Sequence, residues 1–281
     1  MKKILVTTDF STHSKAGMRF AVQLAARMKA EIVFFHCFQA LIPATIHRAH
    51  IENSMQEQAA AQLKKLEKFV AGFYTRMKAT PGKYRCVVKE ELSPESAILE
   101  YAHREKVDFI CISTRGAGQL QKIIGTNTSN VIRKSLVPVL AVPHTYRARS
   151  IKKILYASDL ENFDLEMTTV SAFAQALEMK MDMAHFSFAD NMKLARIALD
   201  AGILARKYPP LERIYLEPFE VNNGFATQFD QLVKKVKPSL VAFFTHTNLT
   251  WFDKLFSTSR SETFSFITKT PMLVYRKTVV E

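Results

Sequence analysis

A nine-residue segment near the start of the chain, Lys2-Lys-Ile-Leu-Val-Thr-Thr-Asp-Phe10, returns 150 residues later as Lys152-Lys-Ile-Leu-Tyr-Ala-Ser-Asp-Leu160. Both lysines, the isoleucine, the leucine and the aspartate are the same in the two copies. The far end of the unit recurs as well. Val137-Pro-Val-Leu resembles Thr270-Pro-Met-Leu, and Leu240-Val-Ala-Phe-Phe-Thr-His246 stands where Phe109-Ile-Cys-Ile-Ser-Thr-Arg115 stands in the first copy. Both ends repeat in order, and 281 residues suffice for two domains of ordinary size. The chain therefore reads as two similar domains, 1–147 and 148–281, joined near Tyr146–Ile151. Chance likeness between two β-rich segments is the alternative.

Within the first copy, short apolar runs alternate with helical periodicity. Lys2–Ser11 is a strand that ends in polar residues. Phe20, Ala21, Leu24, Ala25 and Met28 are spaced as one face of a helix capped by Ser11 or Ser14. Glu31–Cys37 is a second strand, and 51–78 carries the stripe Met55, Ala59, Leu63, Leu66, Val70, Phe73 and Met77 of a long helix. Cys86-Val-Val is a third strand, and Ser93-Pro94 starts a helix with Ala97, Ile98, Tyr101 and Ala102 inward. Val107–Thr114 and Val137–Val142 complete the set. Alternation of this kind predicts an α/β fold, with two tandem Rossmann-like domains, each a five-stranded parallel sheet with helices on both faces. In such sheets ligands bind at the carboxyl ends of the strands where the strand order reverses. Strands one and four flanking that point would bring Asp9 and the loop 114–118 to one cleft.

The stretch Val107–Val142 holds the chemistry. Its strand is followed by Gly116, Gly118 and Gly125, three of the eight glycines in the chain. Glycine lets a backbone approach a ligand and lets successive N–H groups converge on an anion. Thr126, Asn127, Thr128 and Ser129 then open a helix, whose free N–H groups and dipole favour phosphate. The stretch has no Gly-Lys-Ser/Thr and, with Gln121 at the third position, no Gly-x-Gly-x-x-Gly. A plain strand-to-helix turn that needs glycine for its shape is the other reading.

Net charge is +13, and residues 1–150 carry 23 Lys+Arg against 11 Asp+Glu, whereas 151–281 carry 16 against 15. The basic excess lies with the glycine loop, as suits an anionic ligand; a solvated basic surface is the alternative. No dense Lys/Arg run or basic strand interleaved with aromatics points to nucleic acid. No apolar run reaches the roughly 18–20 residues of a membrane span. Lys2 and Lys3 precede only Ile4, Leu5 and Val6, which is no secretory signal. Cys37, Cys86 and Cys111 lie in apolar or β-like runs with no Cys-x-x-Cys, the pattern of reduced buried thiols in a cytoplasmic protein.

The second copy differs at the loop. No glycine follows Gly224, and the corresponding segment, Thr245–Ser259, carries Trp251, Phe252 and Phe256. Bulky residues resist the positive φ angles of a phosphate nest, so we expect the second copy to have lost its site, with those aromatics packed against the sheet or a neighbouring domain.

Taken together, the Asp9-Phe-Ser11 strand end, the Asp108–Gly116 strand and turn, the Gly125-Thr126 step and the Val137-Pro-Val-Leu strand resemble the universal stress protein family in its tandem form. The resemblance implies the adenine nucleotide alpha hydrolase-like fold. Some members bind ATP through Gly-x-x-Gly, nine residues, then Gly-Ser/Thr, and others bind none. Here Ser113 stands at the first glycine, Gly116 at the second, and eight residues separate Gly116 from Gly125. Carried over by position, Asp9 would accept a hydrogen bond from adenine or ribose, and Val88 would line the adenine pocket. Ser113, Gly116, Gly118 and Gly125 would shape the loop, and Thr126, Asn127 and Thr128 would face phosphate.

The family resemblance implies a stress-response regulatory protein that binds ATP, with Mg2+, or a related adenine nucleotide in the first domain. The alternative is a scaffold that binds no nucleotide and acts through domain pairing. No clear general base stands beside the loop, since His103 and His144 are unplaced by sequence, so slow ATP hydrolysis ranks third. Partners expected are an adenine nucleotide, the other domain of the same chain through the closing strands, and a second chain in a homo-oligomer, with no membrane and no metal site of its own.

Overall fold

A computed structural model of the chain describes residues 1–41, 48–114, 126–188, 199–245 and 269–277. The described residues divide into two compact units, the first comprising 1–114 and 126–144, the second those from Thr145 onward.

In the first unit the order is β1 (Lys3–Thr7), α1 (Lys15–Met28), β2 (Glu31–Phe38), α2 (Arg48–Met77), β3 (Tyr84–Glu90), α3 (Pro94–Arg104), β4 (Phe109–Thr114), α4 (Thr126–Lys134) and β5 (Val139–Pro143). The strands run β3-β2-β1-β4-β5, all parallel. The chain works outward from β1 to β3, then returns to lay β4 on the other side of β1, so the order reverses between β1 and β4. Val6 pairs with Cys111 across that reversal. Ile4, Leu5, Val6, Ile110 and Cys111 have no exposed surface, the burial on both faces that their unbroken apolar runs require. The edge strand β3 is exposed at Tyr84 and half-covered from Arg85 onward.

The helix faces follow the spacing. Phe20, Ala21, Leu24 and Ala25 of α1 are buried as expected, whereas Met28 is half-exposed at the last turn. In α2 the stripe is buried at Leu66, Val70 and Phe73, but Met55, Ala59 and Leu63 are half-covered. Thirty residues outrun the sheet that α2 rests on, so its first half has less to pack against. The α3 cap is as read: Ser93 Oγ accepts from the Ser96 N–H at 3.3 Å, with Pro94 in the first turn. The α1 cap is not local. Ser14 is the N-cap residue but makes no capping bond with its side chain; the Gly17 N–H instead donates to Ser113 Oγ on β4, at 2.7 Å.

The second unit repeats this plan with β6 (Lys153–Ser158), α5 (Phe163–Ala176), β7 (Lys180–Ser187), α6 (Ala201–Lys207), β8 (Leu211–Pro218), a 3-10 turn at Val221–Asn223, α7 (Phe225–Val236), β9 (Leu240–Thr245) and β10 (Met272–Arg276). Its strands run β10-β9-β6-β7-β8, again parallel, with one irregularity between Met181 and Asp182. The reversal lies between β6 and β9, the counterparts of β1 and β4.

Candidate functional site

The turn after β1 is closed by its own side chains. Thr8 Oγ1 accepts from the Phe10 N–H at 3.1 Å, and Asp9 Oδ1 accepts from the Ser11 N–H at 3.0 Å. Phe10 sits at φ 64°, a conformation that costs a residue with Cβ about 1–2 kcal/mol. The turn leaves Asp9 exposed at the carboxyl end of β1, beside the strand-order reversal.

A chain of hydroxyls joins this turn to β4. Thr8 Oγ1 and Ser14 Oγ lie 2.8 Å apart, Ser14 Oγ also reaches the Ser11 carbonyl at 2.8 Å, and Ser113 Oγ donates to the Ser14 carbonyl at 3.0 Å. Ser113 therefore holds α1 to β4 through two bonds, one donated and one accepted. Gly17 is required for that approach, because a Cβ there would stand 2.8 Å from Ser113 Oγ.

His36 Nδ1 donates to the Thr8 carbonyl at 2.8 Å, and the His36 ring lies 4.2 Å from that of Phe10. Phe69 and the Lys65 ammonium, both from α2, approach the Phe10 ring at 5.5 and 4.4 Å. Burial draws the His36 imidazole below its ordinary value, and the Lys65 charge adds to this against the opposing pull of the Thr8 carbonyl and Asp9. Val88 pairs in register with His36, one strand further from β1, and is half-buried.

Helix α4 begins at Thr126. Thr128 is buried in its first turn. On the helix, Asn130 Nδ2 and Lys134 Nζ both bond to the carboxylate of Glu95 on α3, and Lys134 foremost holds that carboxyl below the usual range. Glu95 thus ties α4 to α3, a contact that no local motif signals. Gly116, Gly118 and Gly125 lie outside the described residues, as do the side chains of Thr126 and Asn127. The structure therefore places Asp9 after β1 and Ser113 on β4, the two strands that flank the reversal, Thr128 in the first turn of α4, and Val88 two strands from β1. His144, unplaced by sequence, follows β5 with its N–H on the Thr114 carbonyl at 2.9 Å and its ring 5.1 Å from that of His13.

The second unit reproduces the turn bond for bond. Ser158 Oγ accepts from the Leu160 N–H at 3.1 Å, Asp159 Oδ1 accepts from the Glu161 N–H at 3.0 Å, and Leu160 has φ 69°. His185 Nδ1 donates to the Ser158 carbonyl at 2.9 Å, as His36 does to Thr8. Asp159, however, is met by the Lys277 ammonium at 2.5 Å. The expected aromatic filling by Trp251, Phe252 and Phe256 lies outside the described residues.

The sequence profile of the Universal stress protein family matches residues 1–143, half of the chain. This chain belongs to the universal stress protein family. Over 146 residues it is 26% identical to a universal stress protein of Methanocaldococcus jannaschii, a match that covers 50% of this chain and 81% of that one. The structure of a universal stress protein from Archaeoglobus fulgidus covers 98% of both chains at a TM-score of 0.70 and 15% identity. A functionally unknown protein from Pseudomonas aeruginosa covers 98% of this chain and 92% of its own, at a TM-score of 0.57 and 14% identity. At such identities these two likenesses show the fold, two Rossmann-like units in tandem.

What the described residues at the reversal of this universal stress protein offer chemically is an exposed acceptor at Asp9 and a helix start behind β4. Burial first, with nearby Glu91 and Glu90, pushes the Cys37 thiol up to about 11, and burial with Glu67 does the same for Cys86. Cys111 is buried and raised further by burial alone. All three stay protonated near neutrality. Among the described residues no three or more His, Cys, Asp or Glu side chains gather as a metal would need, and no helix is long and apolar enough to cross a membrane.

Proposed function

We propose that this universal stress protein is a regulatory protein whose amino-terminal domain, 1–147, binds ATP or a related adenine nucleotide, and whose carboxy-terminal domain, 148–281, binds none. The observation that carries this is the exposed Asp9 carboxylate held at the β1/β4 reversal by its own turn, with the amino end of α4 following β4. A carboxylate there suits a ribose hydroxyl or an adenine amine, and the first-turn N–H groups of α4 suit a phosphate. Those donors fit a nucleotide, with Asp9 orienting the nucleoside and the residues opening α4, from Thr126, receiving phosphate oxygens. Mg2+ would accompany a triphosphate and offset its charge. We place the protein in the cytoplasm on the strength of its reduced thiols.

One observation favours a scaffold without nucleotide. Ser113, at the position of the first loop glycine, is bonded to α1 on both its donor and its acceptor side. The experiment that separates the readings is to denature purified protein and analyse the released small molecules. Co-released adenine nucleotide that disappears in Gly125→Val supports binding through this loop. Protein that is empty as isolated, and that ignores added ATP with Mg2+, overturns it in favour of the scaffold.

A further inference from the structure

The carboxy-terminal unit presents the same crevice with a charge already in it. Lys277 follows β10 and is fixed by the bond from its N–H to the Thr245 carbonyl at 2.9 Å, the bond that fixes His144 after β5 in the first unit. From there its side chain, 1% exposed, runs to the turn that follows β6. Its ammonium lies 2.5 Å from Asp159 Oδ2, 3.1 Å from Glu161 Oε2 and 3.6 Å from Glu166 Oε1. Glu166 is 2% exposed; Tyr156 Oη donates to its Oε2, while its Oε1, the oxygen aimed at the ammonium, has no hydrogen-bond partner.

We propose that this crevice is a cation site occupied by the protein's own chain. The Lys277 ammonium takes the place at Asp159 where the first unit has an exposed carboxylate, and the class of ligand that the site accepts is the primary alkylammonium.

Three physical arguments support this. The geometry suits an ammonium, which donates to Asp159 and Glu161 and has the unpartnered Glu166 Oε1 within ion-pair distance at 3.6 Å. The charge balance selects the sign. Asp159 and Glu161 alone outnumber the one ammonium, so the site attracts cations and repels a phosphate, and a nucleotide finds no seat here even when the turn is drawn as in the first unit. The location is not that of an ordinary stabilising pair. Burying an ammonium and carboxylates is seldom better than burying apolar groups of like size, yet this cluster sits at the strand-order reversal, where this fold takes ligands.

The proposal goes beyond the nucleotide reading and does not depend on it. The test is chemical rescue of the full chain carrying Lys277→Ala, which deletes the ammonium and leaves the carboxylates. Thermal unfolding is followed in n-propylammonium chloride and in the same concentration of tetramethylammonium chloride, a cation without N–H donors. The expected result is a midpoint for Lys277→Ala several degrees below the parent, raised by propylammonium but not by tetramethylammonium, with the parent indifferent to the choice. Equal midpoints for the variant in the two salts would overturn the proposal. Should Lys277→Ala fail to fold, reductive methylation of the parent followed by peptide mass spectrometry decides. Lys277 left unmodified while exposed lysines such as Lys180 and Lys207 are methylated supports occupancy, and accessibility of Lys277 brought out by Asp159→Asn strengthens it. Methylation of Lys277 at the rate of those lysines in the parent overturns it. Neither readout involves a nucleotide, so failure here and failure of the nucleotide reading are told apart.

Discussion

The two crevices are built from one turn and treat their carboxylates in opposite ways. In both, a hydroxyl and an aspartate bond forward to the backbone, a residue with positive φ follows, and a histidine from the next strand donates to the turn. After β1 the aspartate is exposed, and the residue arriving from β5 is His144, whose ring lies beside His13. After β6 the aspartate is met by Lys277 and flanked by Glu161 and Glu166. One turn thus serves two electrostatic settings, and the change needs only one residue after the last strand and acidic residues near the turn.

Removing the two aspartates in turn breaks the comparison most sharply. Asp159→Ala takes away the nearest partner of a buried ammonium and should cost about 3 kcal/mol, the low end for such a loss because Glu161 and Glu166 remain. Asp9→Ala, at an exposed position, should stay within about 1 kcal/mol in denaturant titration yet abolish nucleotide binding. Similar stability losses for both would mean that the crevices are alike after all.

Next in size is a pH effect confined to the second unit. Burial foremost, with the nearby Asp159 charge, lifts the Glu166 carboxyl to about 7 against the pull of Tyr156 and Lys277. The groups facing it are Tyr156 from β6, Asp159 from the turn and Lys277 from beyond β10. Between the unfolded value of 4.5 and about 7, the folded chain keeps a proton that the unfolded chain releases. Stability from this group therefore falls as pH rises through that window. Glu166→Gln should flatten the slope of unfolding free energy against pH there, and an unchanged slope would remove Glu166 from the account.

A smaller effect concerns how the first crevice is held open. Gly17→Ala would press a Cβ against Ser113 Oγ at 2.8 Å and the Ser113 backbone nitrogen at 3.3 Å, moving α1 off β4. We expect a loss of about 2 kcal/mol by thermal unfolding, together with weaker nucleotide binding. No loss would show that α1 can shift freely.

Smallest is the strain in the two turns. Leu160→Gly should be close to neutral, since relief at φ 69° offsets lost contacts and added chain entropy. Phe10→Gly should cost about 1 kcal/mol more, because the ring also meets His36, Phe69 and Lys65. Equal effects would mean that those aromatic contacts contribute little.

Much of this architecture was written in local pattern. Apolar runs long enough to need cover on both faces marked β1, β4 and β5, helical spacing marked α1 and the second half of α2, and the repeated Lys-Lys-Ile-Leu segment announced two copies of one sheet. The place of Asp9 beside the reversal was legible because it follows the first strand of an alternating α/β pattern. Residues joined across the chain were not legible in this way. Ser113 caps α1 from 96 residues away, Glu95 gathers Asn130 and Lys134, and Lys277 reaches Asp159 across 118 residues. Aligning the two copies sets Lys277 opposite His144, but the alignment carries no sign that one side chain would turn inward to a carboxylate and the other toward a second histidine. Periodicity and turn chemistry act between near neighbours, so the sequence alone determined the elements, their order and the family. That Lys277 reaches Asp159 while Asp9 stays exposed depends on groups that meet only when the strands are laid side by side, and the tertiary structure decided that.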